Sequence, residues 1–552
     1  MPSLLELVER VNKGELIDAA ALEAYQESSN AAEKFLANHA RAMLDLRRSH
    51  TFLLEALEAI DYADQKVLFQ FMAVLGFLGM NEHRKGPMIR FGAAAIGRRE
   101  VSLGLEAIQA GMMQETPADL GFGRDRETAI NVAGLYDRAA LAAAWYAPTP
   151  ASTSGEPAAA GPLKIGYLTS TIADEDASAK FALGLSKHLD AKATKLHVYS
   201  TEALARREKQ TFTQGPFVAP SPKRGKETID TLTRRKAAPW LAPLDHDLAS
   251  TAKELASQIA KDGVDVLLID AQLNDPIAAL IANWAVATVK INLVRRAPLL
   301  SGTVGAAVYV NAKSHKADEP VWKKRSVPTY FVQEGVDIAA IEPAAAQRSA
   351  FGIPEQSVVL STVTEADAPL PAEFIETAVA VLRQHPQAVW LVAGEADTSG
   401  LKRRLDAAGL GKRCGFAGKR KDVTEFLKMA DVYVAPFGQS NTSGILAAMA
   451  AGRAVVASAG DAGEPQRPQA LIGDDAVAHD TVDYAEKISK LLRDPVLRNK
   501  AGDDLKARVK GYSLDHTARA IEKLCRDLLD SADAGALIAA VEAKPVEAKQ
   551  AA

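Results

Sequence analysis

The stretch Ala430-Asp431-Val432-Tyr433-Val434-Ala435-Pro436-Phe437-Gly438-Gln439-Ser440-Asn441-Thr442-Ser443-Gly444, continued by Ile445 to Ala451 and by Gly452-Arg453-Ala454-Val455-Val456-Ala457, decides how this chain is read. The apolar run at 431–435 reads as a buried strand, the polar residues after it as a loop, 445–451 as a helix and 454–457 as the next strand. Continuous apolar strands separated by helices build a parallel sheet covered on both faces. In open sheets of that kind, ligands bind beyond the carboxyl ends of the strands. A helix opening at Asn441-Thr442-Ser443-Gly444 points free N–H groups and the positive end of its dipole into the loop, which suits a diphosphate. The hydroxyls of Thr442 and Ser443 would add donors. Ordinary capping of the helix by the same residues is the competing reading.

The same alternation extends in both directions. Downstream of residue 345 the strands are Val358 to Ser361, Ala388 to Ala393, Arg413 to Ala417, Asp431 to Ala435 and Ala454 to Ala457, and helices from Val482 to about Leu529 close the series. Upstream, Leu163 to Leu168, Lys195 to Ser200, Val264 to Asp270, Val289 to Val294, Val308 to Val310 and Thr329 to Val332 form an earlier series, with helices at 178–189 and 276–284. Residues 1–147 instead show apolar positions three and four apart, as in Phe35, Leu36, Ala40, Met43 and Leu44, and no strand-like alternation. No tetratricopeptide register emerges there. The expected fold class is α/β: two Rossmann-like domains preceded by an all-α N-terminal domain. The boundaries are 1–147 helical, 148–162 a Pro-, Ala- and Ser-rich linker, 163–340 and 341–530 the two Rossmann-like domains, and 531–552 a disordered tail.

Bulk properties exclude several classes. The 552 residues carry a net charge of −4, without the basic excess of a nucleic-acid binder. The longest nearly apolar run, 277–289, is too short for a membrane span, and the N-terminus lacks the pattern of a signal peptide. The two cysteines, Cys414 and Cys525, make no disulfide framework, which fits a reducing, cytoplasmic setting. The ten histidines are scattered, so no metal site is expected.

The strand, polar loop, Leu-Ala-Ala-Met-Ala-Ala-Gly helix and Val-Val-Ala strand at 431–457 resemble the donor-binding region of GT-B fold glycosyltransferases, and Leu492-Arg493-Asp494-Pro495 with Tyr512-Ser513 resembles that fold's ending. Within it, Asn441-Thr442-Ser443-Gly444 is similar to the diphosphate loop of the protein O-GlcNAc transferase family. Lys164 to Ser170, Asp262 to Leu268, Ala278 to Asn283, and Ala297-Pro298 with Ser301-Gly302-Thr303 are similar to its first Rossmann domain. The likeness runs through about 163–525. It implies transfer of a sugar from a nucleotide-sugar, UDP-linked, to an acceptor, a protein. No separate cofactor or metal is implied, and the helical domain would hold the acceptor or a partner protein. It also places Lys419-Arg420-Lys421 beside the uridine.

The chain departs from that pattern. Gln439 and Ala447 stand where many retaining GT-B enzymes have glutamates, and Leu446 where the O-GlcNAc transferase family has a ribose-binding aspartate. Glu365 falls near that family's diphosphate-facing lysine, and the histidine of the first loop is replaced by Thr171-Ile172-Ala173-Asp174-Glu175-Asp176. Asp174, Glu175 or Asp176, after the first strand, could act as general base toward the acceptor, or form a solvated acidic turn. Arg295 and Arg296, after the strand at 289–294, suit phosphate or an acidic acceptor through forked hydrogen bonds, or serve as surface charge. Lys419 and Arg420 would offset Glu365, and Glu395, after Gly394, could approach the ribose. The candidate site is thus Asp174, Glu175 and Asp176 for catalysis and Asn441, Thr442, Ser443, Gly444, Lys419, Arg420, Gln439, Glu395, Arg295 and Arg296 for the donor. The departures leave open a catalytically degenerate protein that binds or assembles with an active transferase. A GT-B epimerase or phosphorylase would share the architecture.

Overall fold

The structure is a computed structural model. It describes residues 3–12, 17–27, 33–34, 36–38, 40–41, 44–45, 85–112, 126–144, 147, 161–174, 176–203, 205, 224–295, 298–310, 315–333, 335–341, 348, 352–364, 370–394, 398–418, 423–437, 442–459 and 468–533. The chain divides into two compact units, 1–114 with 211–218, and 115–210 with 219–552.

In the first unit the described elements are helices: α1 (Leu4–Asn12), α2 (Ala20–Gln26), α3 (Lys85–Gly97) and α4 (Val101–Met112). Ser3 and Glu6 open α1 with a reciprocal capping box: the Glu6 amide donates to Ser3 Oγ (3.3 Å) and the Ser3 amide to Glu6 Oε2 (2.7 Å). Leu4, Leu7, Val8 and Val11 line one face of α1 and pack with Ile17, Leu22, Ala37 and Leu44. Helices α3 and α4 cross at two glycines. A Cβ on Gly92 would lie 2.7 Å from the Gly104 carbonyl oxygen, and one on Gly104 would lie 2.8 Å from that of Gly92.

The second unit begins with α5 (Arg126–Ala142) and contains two parallel sheets. In the first lie β1 (Leu163–Thr169), β2 (Thr194–Ser200), β3 (Trp240–Leu241), β4 (Val266–Asp270), β5 (Val289–Val294), β6 (Ala306–Val310) and β7 (Thr329–Val332), ordered β3-β2-β1-β4-β5-β6-β7. Between them run α6 (Ala177–His188), α7 (Lys226–Arg234), α8 (Leu248–Asp262), α9 (Pro276–Asn283) and α10 (His315–Lys324). The second sheet has β8 (Val358–Thr364), β9 (Ala388–Gly394), β10 (Cys414–Gly418), β11 (Val432–Val434), β12 (Ala454–Ser458) and β13 (Val477–Ala478), ordered β10-β9-β8-β11-β12-β13. Its helices are α11 (Ala372–Gln384), α12 (Ser399–Ala407), α13 (Val423–Met429), α14 (Thr442–Ala450), α15 (Pro468–Ile472), α16 (Thr481–Arg493) and α17 (Pro495–Arg508), and α18 (Leu514–Asp533) follows.

Every residue of β4, β5 and β6 is buried, as helices on both faces require. Strands at 240–241 and 477–478, two residues each, were not expected. The last helix returns to the first sheet: Ala518, Ile521, Cys525 and Leu528 of α18 pack in one core with β1, β4 and β5. The crossing is pinned where the sheets join. The Gly335 amide donates to Thr517 Oγ1 (2.9 Å), that hydroxyl donates to the Gln333 carbonyl (2.7 Å), and Val336 bridges Ser513. A Cβ on Gly335 would sit 2.2 Å from the Ser513 carbonyl carbon. Helix α5 is tied to the first sheet's far layer through Tyr136, whose hydroxyl donates to the Leu273 carbonyl (2.5 Å), and through Asp137.

Candidate functional site

Both sheets are doubly wound. In each, the chain works outward from a central strand and then crosses to the other side, leaving a crevice where the order reverses. That point lies between β1 and β4 in the first sheet and between β8 and β11 in the second.

In the second sheet, β11 runs into Ala435-Pro436-Phe437, and α14 opens at Thr442. The loop's entry is held rigidly. The Ala435 amide donates to the Val456 carbonyl (2.9 Å), and the buried Tyr484 hydroxyl donates to the Ala435 carbonyl. Phe437 packs edge-on against Phe374 (5.7 Å) and Tyr484 (4.6 Å), and Phe374 edge-on against Trp390 (5.6 Å). Trp390 Nε1 donates to Thr362 Oγ1 (2.9 Å), which donates to the Val434 carbonyl (2.8 Å). Burial raises the Tyr484 pKa well above the usual phenol value, so it stays a neutral donor. At the helix start Thr442 is half-buried, Ser443 exposed and Gly444 buried. Ile445, Leu446, Ala448 and Met449 seat the helix in the core. Across the crevice, β8 and β9 end in contact. Gly394 has φ +125°, and a Cβ there would meet Thr364 Oγ1 at 2.1 Å, so glycine is required.

In the first sheet, Thr169 at the end of β1 pairs with Asp270 at the end of β4. The Tyr167 hydroxyl, two residues back on β1, donates to Asp270 Oδ2. Arg295, directly after β5, places its Nε 3.8 Å from the same oxygen and its guanidinium 4.8 Å above the Phe181 ring. Burial, then the neighbouring Asp270 charge, raises the Tyr167 pKa well above its usual value. Asp275 is wholly buried. It caps α9 through Ala278 N (2.9 Å) and accepts from Thr201 Oγ1 (2.6 Å), and burial raises its pKa. Glu202, in the left-handed region at φ +52°, accepts from Ser200 Oγ (2.7 Å) and Arg224 Nε (2.8 Å).

The expected site residues divide accordingly. Thr442, Ser443 and Gly444 lie at the second sheet's switch point. Asp174, Asp176 and Arg295 lie at the carboxyl edge of the first. Asp174 is exposed and spends Oδ1 on the Thr228 amide (2.8 Å), near the start of α7. A Cβ on Gly225 would fall 2.5 Å from that same oxygen. Asp174 also lines an open depression of about 680 Å³ with Lys226, Glu227, Asp230, Thr233 and Arg234 of α7. Asp176 is half-buried at the N-cap position of α6 without capping it by its side chain. Arg295, read from sequence as a phosphate ligand, is mostly buried and engaged with Asp270 and Phe181. Glu175, Arg296, Glu395, Lys419, Arg420, Gln439 and Asn441 lie outside the described residues, as does Glu365. Sequence reading passed over Tyr167 and Asp270. The available signal was an acid closing the apolar run Val266-Leu267-Leu268-Ile269 at a strand's carboxyl end. Among the described residues no three His, Cys, Asp or Glu side chains are grouped to hold a metal, and no helix is long and apolar enough to cross a membrane.

Residues 371–494, which run from α11 to α16 and include every strand of the second sheet but β8, match the family model described as Glycosyl transferases group 1. No curated protein matches the sequence. Among solved structures, a glycosyltransferase from Rickettsia africae ESF-5 superposes with a TM-score of 0.51 at 13% identity, over 67% of this chain and 99% of that one. A mutant O-GlcNAc transferase of Thermobaculum terrenum gives 0.48 at 14% identity, over 97% of this chain and 100% of that one. Anabaena Alr3699/HepE in complex with UDP and glucose gives 0.48 at 13% identity, over 66% of this chain and 100% of that one. The two parallel sheets thus share the GT-B fold, and the match to the glycosyl transferase group 1 model falls in its second half.

Proposed function

We propose that this protein transfers a sugar from a nucleotide-sugar, UDP-linked, to an acceptor hydroxyl on a protein, in the cytoplasm. One observation carries the reading: the region matched at 371–494 includes β11, on one side of the second sheet's switch point, and the start of α14 at Thr442. The amides at the helix start and its dipole would receive the diphosphate, and the charge that develops on the leaving group would be stabilised there without a metal. Lys419 and Arg420 would add cationic charge. Thr442→Ala with Ser443→Ala should weaken UDP binding by about 1–3 kcal/mol in titration calorimetry if both hydroxyls reach phosphate. Unchanged affinity would reduce them to helix caps.

The second reading is a relative that binds without turning over, acting as partner to an active transferase. Leu446 favours it: the position at which the O-GlcNAc resemblance calls for a ribose-binding acid is 2% exposed and part of the core. UDP binding without release of UDP from any UDP-sugar would select this reading.

A further inference from the structure

We propose that Asp270 is the carboxylate that takes the acceptor's proton, with Tyr167 and Arg295 as the residues that position it. The inference rests on the transfer reading above and moves the base from the 174–176 loop to the end of β4. Asp270 closes β4 at the reversal of strand order, beside Thr169 of β1, which is where an open sheet presents its ligand crevice. Oδ2 is held by the Tyr167 hydroxyl, with Arg295 Nε 3.8 Å away. The Tyr167 hydroxyl also lies 3.0 Å from the Ser178 carbonyl, a second acceptor for its one proton, and the Arg295 guanidinium rests over the Phe181 ring. Oδ1 accepts no hydrogen bond from the described residues, and the side chain keeps 8% of its surface exposed. One oxygen is therefore anchored, and the other has no donor among the described residues. Asp174 of the loop is arranged differently. Asp174 is exposed and committed to the start of α7.

In the step assigned to it, Oδ1 receives the proton of an acceptor hydroxyl while a lone pair on the hydroxyl's own oxygen forms the bond to the anomeric carbon. The bond from the anomeric carbon to the diphosphate breaks, its electron pair leaves on the nucleoside diphosphate, and the anomeric centre inverts.

The test uses the full chain with water as acceptor, measuring UDP release from UDP-glucose and from UDP-N-acetylglucosamine. Asp270→Asn should cut release about 100-fold or more while UDP affinity and the unfolding midpoint stay unchanged. Added formate should restore part of the rate to Asp270→Ala, which a structural role would not allow. Tyr167→Phe keeps the carboxylate and should lower kcat about tenfold at constant KM, giving a reading even where an Asp270 variant fails to fold. Release by Asp270→Asn at the wild-type rate, absence of formate rescue, or an unchanged kcat in Tyr167→Phe would overturn the assignment. If the wild-type protein releases no UDP from either donor, the transfer reading itself falls, and this assignment with it.

Discussion

Asp137 on α5 receives four donors. Oδ1 accepts from Asn283 Nδ2 (3.2 Å), Ser301 Oγ (2.8 Å) and the Gly302 amide (3.0 Å), and Oδ2 pairs with Arg325 (3.1 Å). Removing it takes an acceptor from three separate segments at once, although Asn283 Nδ2 keeps the Ala279 carbonyl (3.0 Å), so Asp137→Ala should cost about 2–3 kcal/mol in urea unfolding, and a loss near zero would show that water replaces it. Lys290 makes a similar point in mid-strand. Its ammonium donates to the Ala282 carbonyl (2.6 Å), the Trp284 carbonyl (2.8 Å) and Thr303 Oγ1 (2.9 Å), and burial pulls its pKa down to about 7. A lone lysine in Val289-Lys290-Ile291-Asn292 gives no hint of those partners, because two are backbone carbonyls at the end of a different element. The same holds for the Tyr167–Asp270 contact, made across 103 positions. Leu446 shows the reverse: its place in a Leu-Ala-Ala-Met run already marks it as apolar, and the structure buries it.

At the scale of elements, the long runs were legible. Apolar stretches such as Val266 to Ile269 and Ala454 to Ala457 leave a strand no other way to hide its side chains. Strands of two residues have no such run, and the return of α18 to the first sheet depends on contacts at Gln333–Val336 that no periodicity encodes. Two helical glycines give opposed expectations. At Gly104 an added methyl meets the Gly92 carbonyl oxygen and Ile96 Cγ1, both at 2.8 Å, whereas at Gly134 it meets nothing within 4 Å. Gly104→Ala should therefore destabilise by about 1–3 kcal/mol, outweighing the gain in helix propensity. Gly134→Ala should stabilise by about 0.5–1 kcal/mol. Thermal melts that reversed the two signs would remove the close crossing of α3 and α4.

At the scale of the whole molecule, three described histidines contribute to the response to acid. Burial lowers the pKa of His188, His197 and His385; neighbouring Asp337 and Asp262 partly offset this at the first two, and the Arg493 charge adds to it at His385. A histidine lowered in the folded state binds its proton more readily when unfolded. The stability it confers is thus present above the ordinary value near 6.5 and is lost as pH falls through the folded value. Tm should drop between pH 7.5 and 5.5, and less so in His385→Gln, where the bond to Ser489 Oγ (2.9 Å) has no titrating partner. An equal drop in both proteins would exclude His385 from the effect. Function is decided at a larger scale than any of these contacts, by whether a nucleoside diphosphate settles at the start of α14. The most direct measurement is a crystal structure of the full chain with UDP. The account predicts phosphate oxygens within hydrogen-bond reach of the amides and hydroxyls of Thr442 and Ser443; UDP seated elsewhere, or absent at saturating concentration, would contradict it.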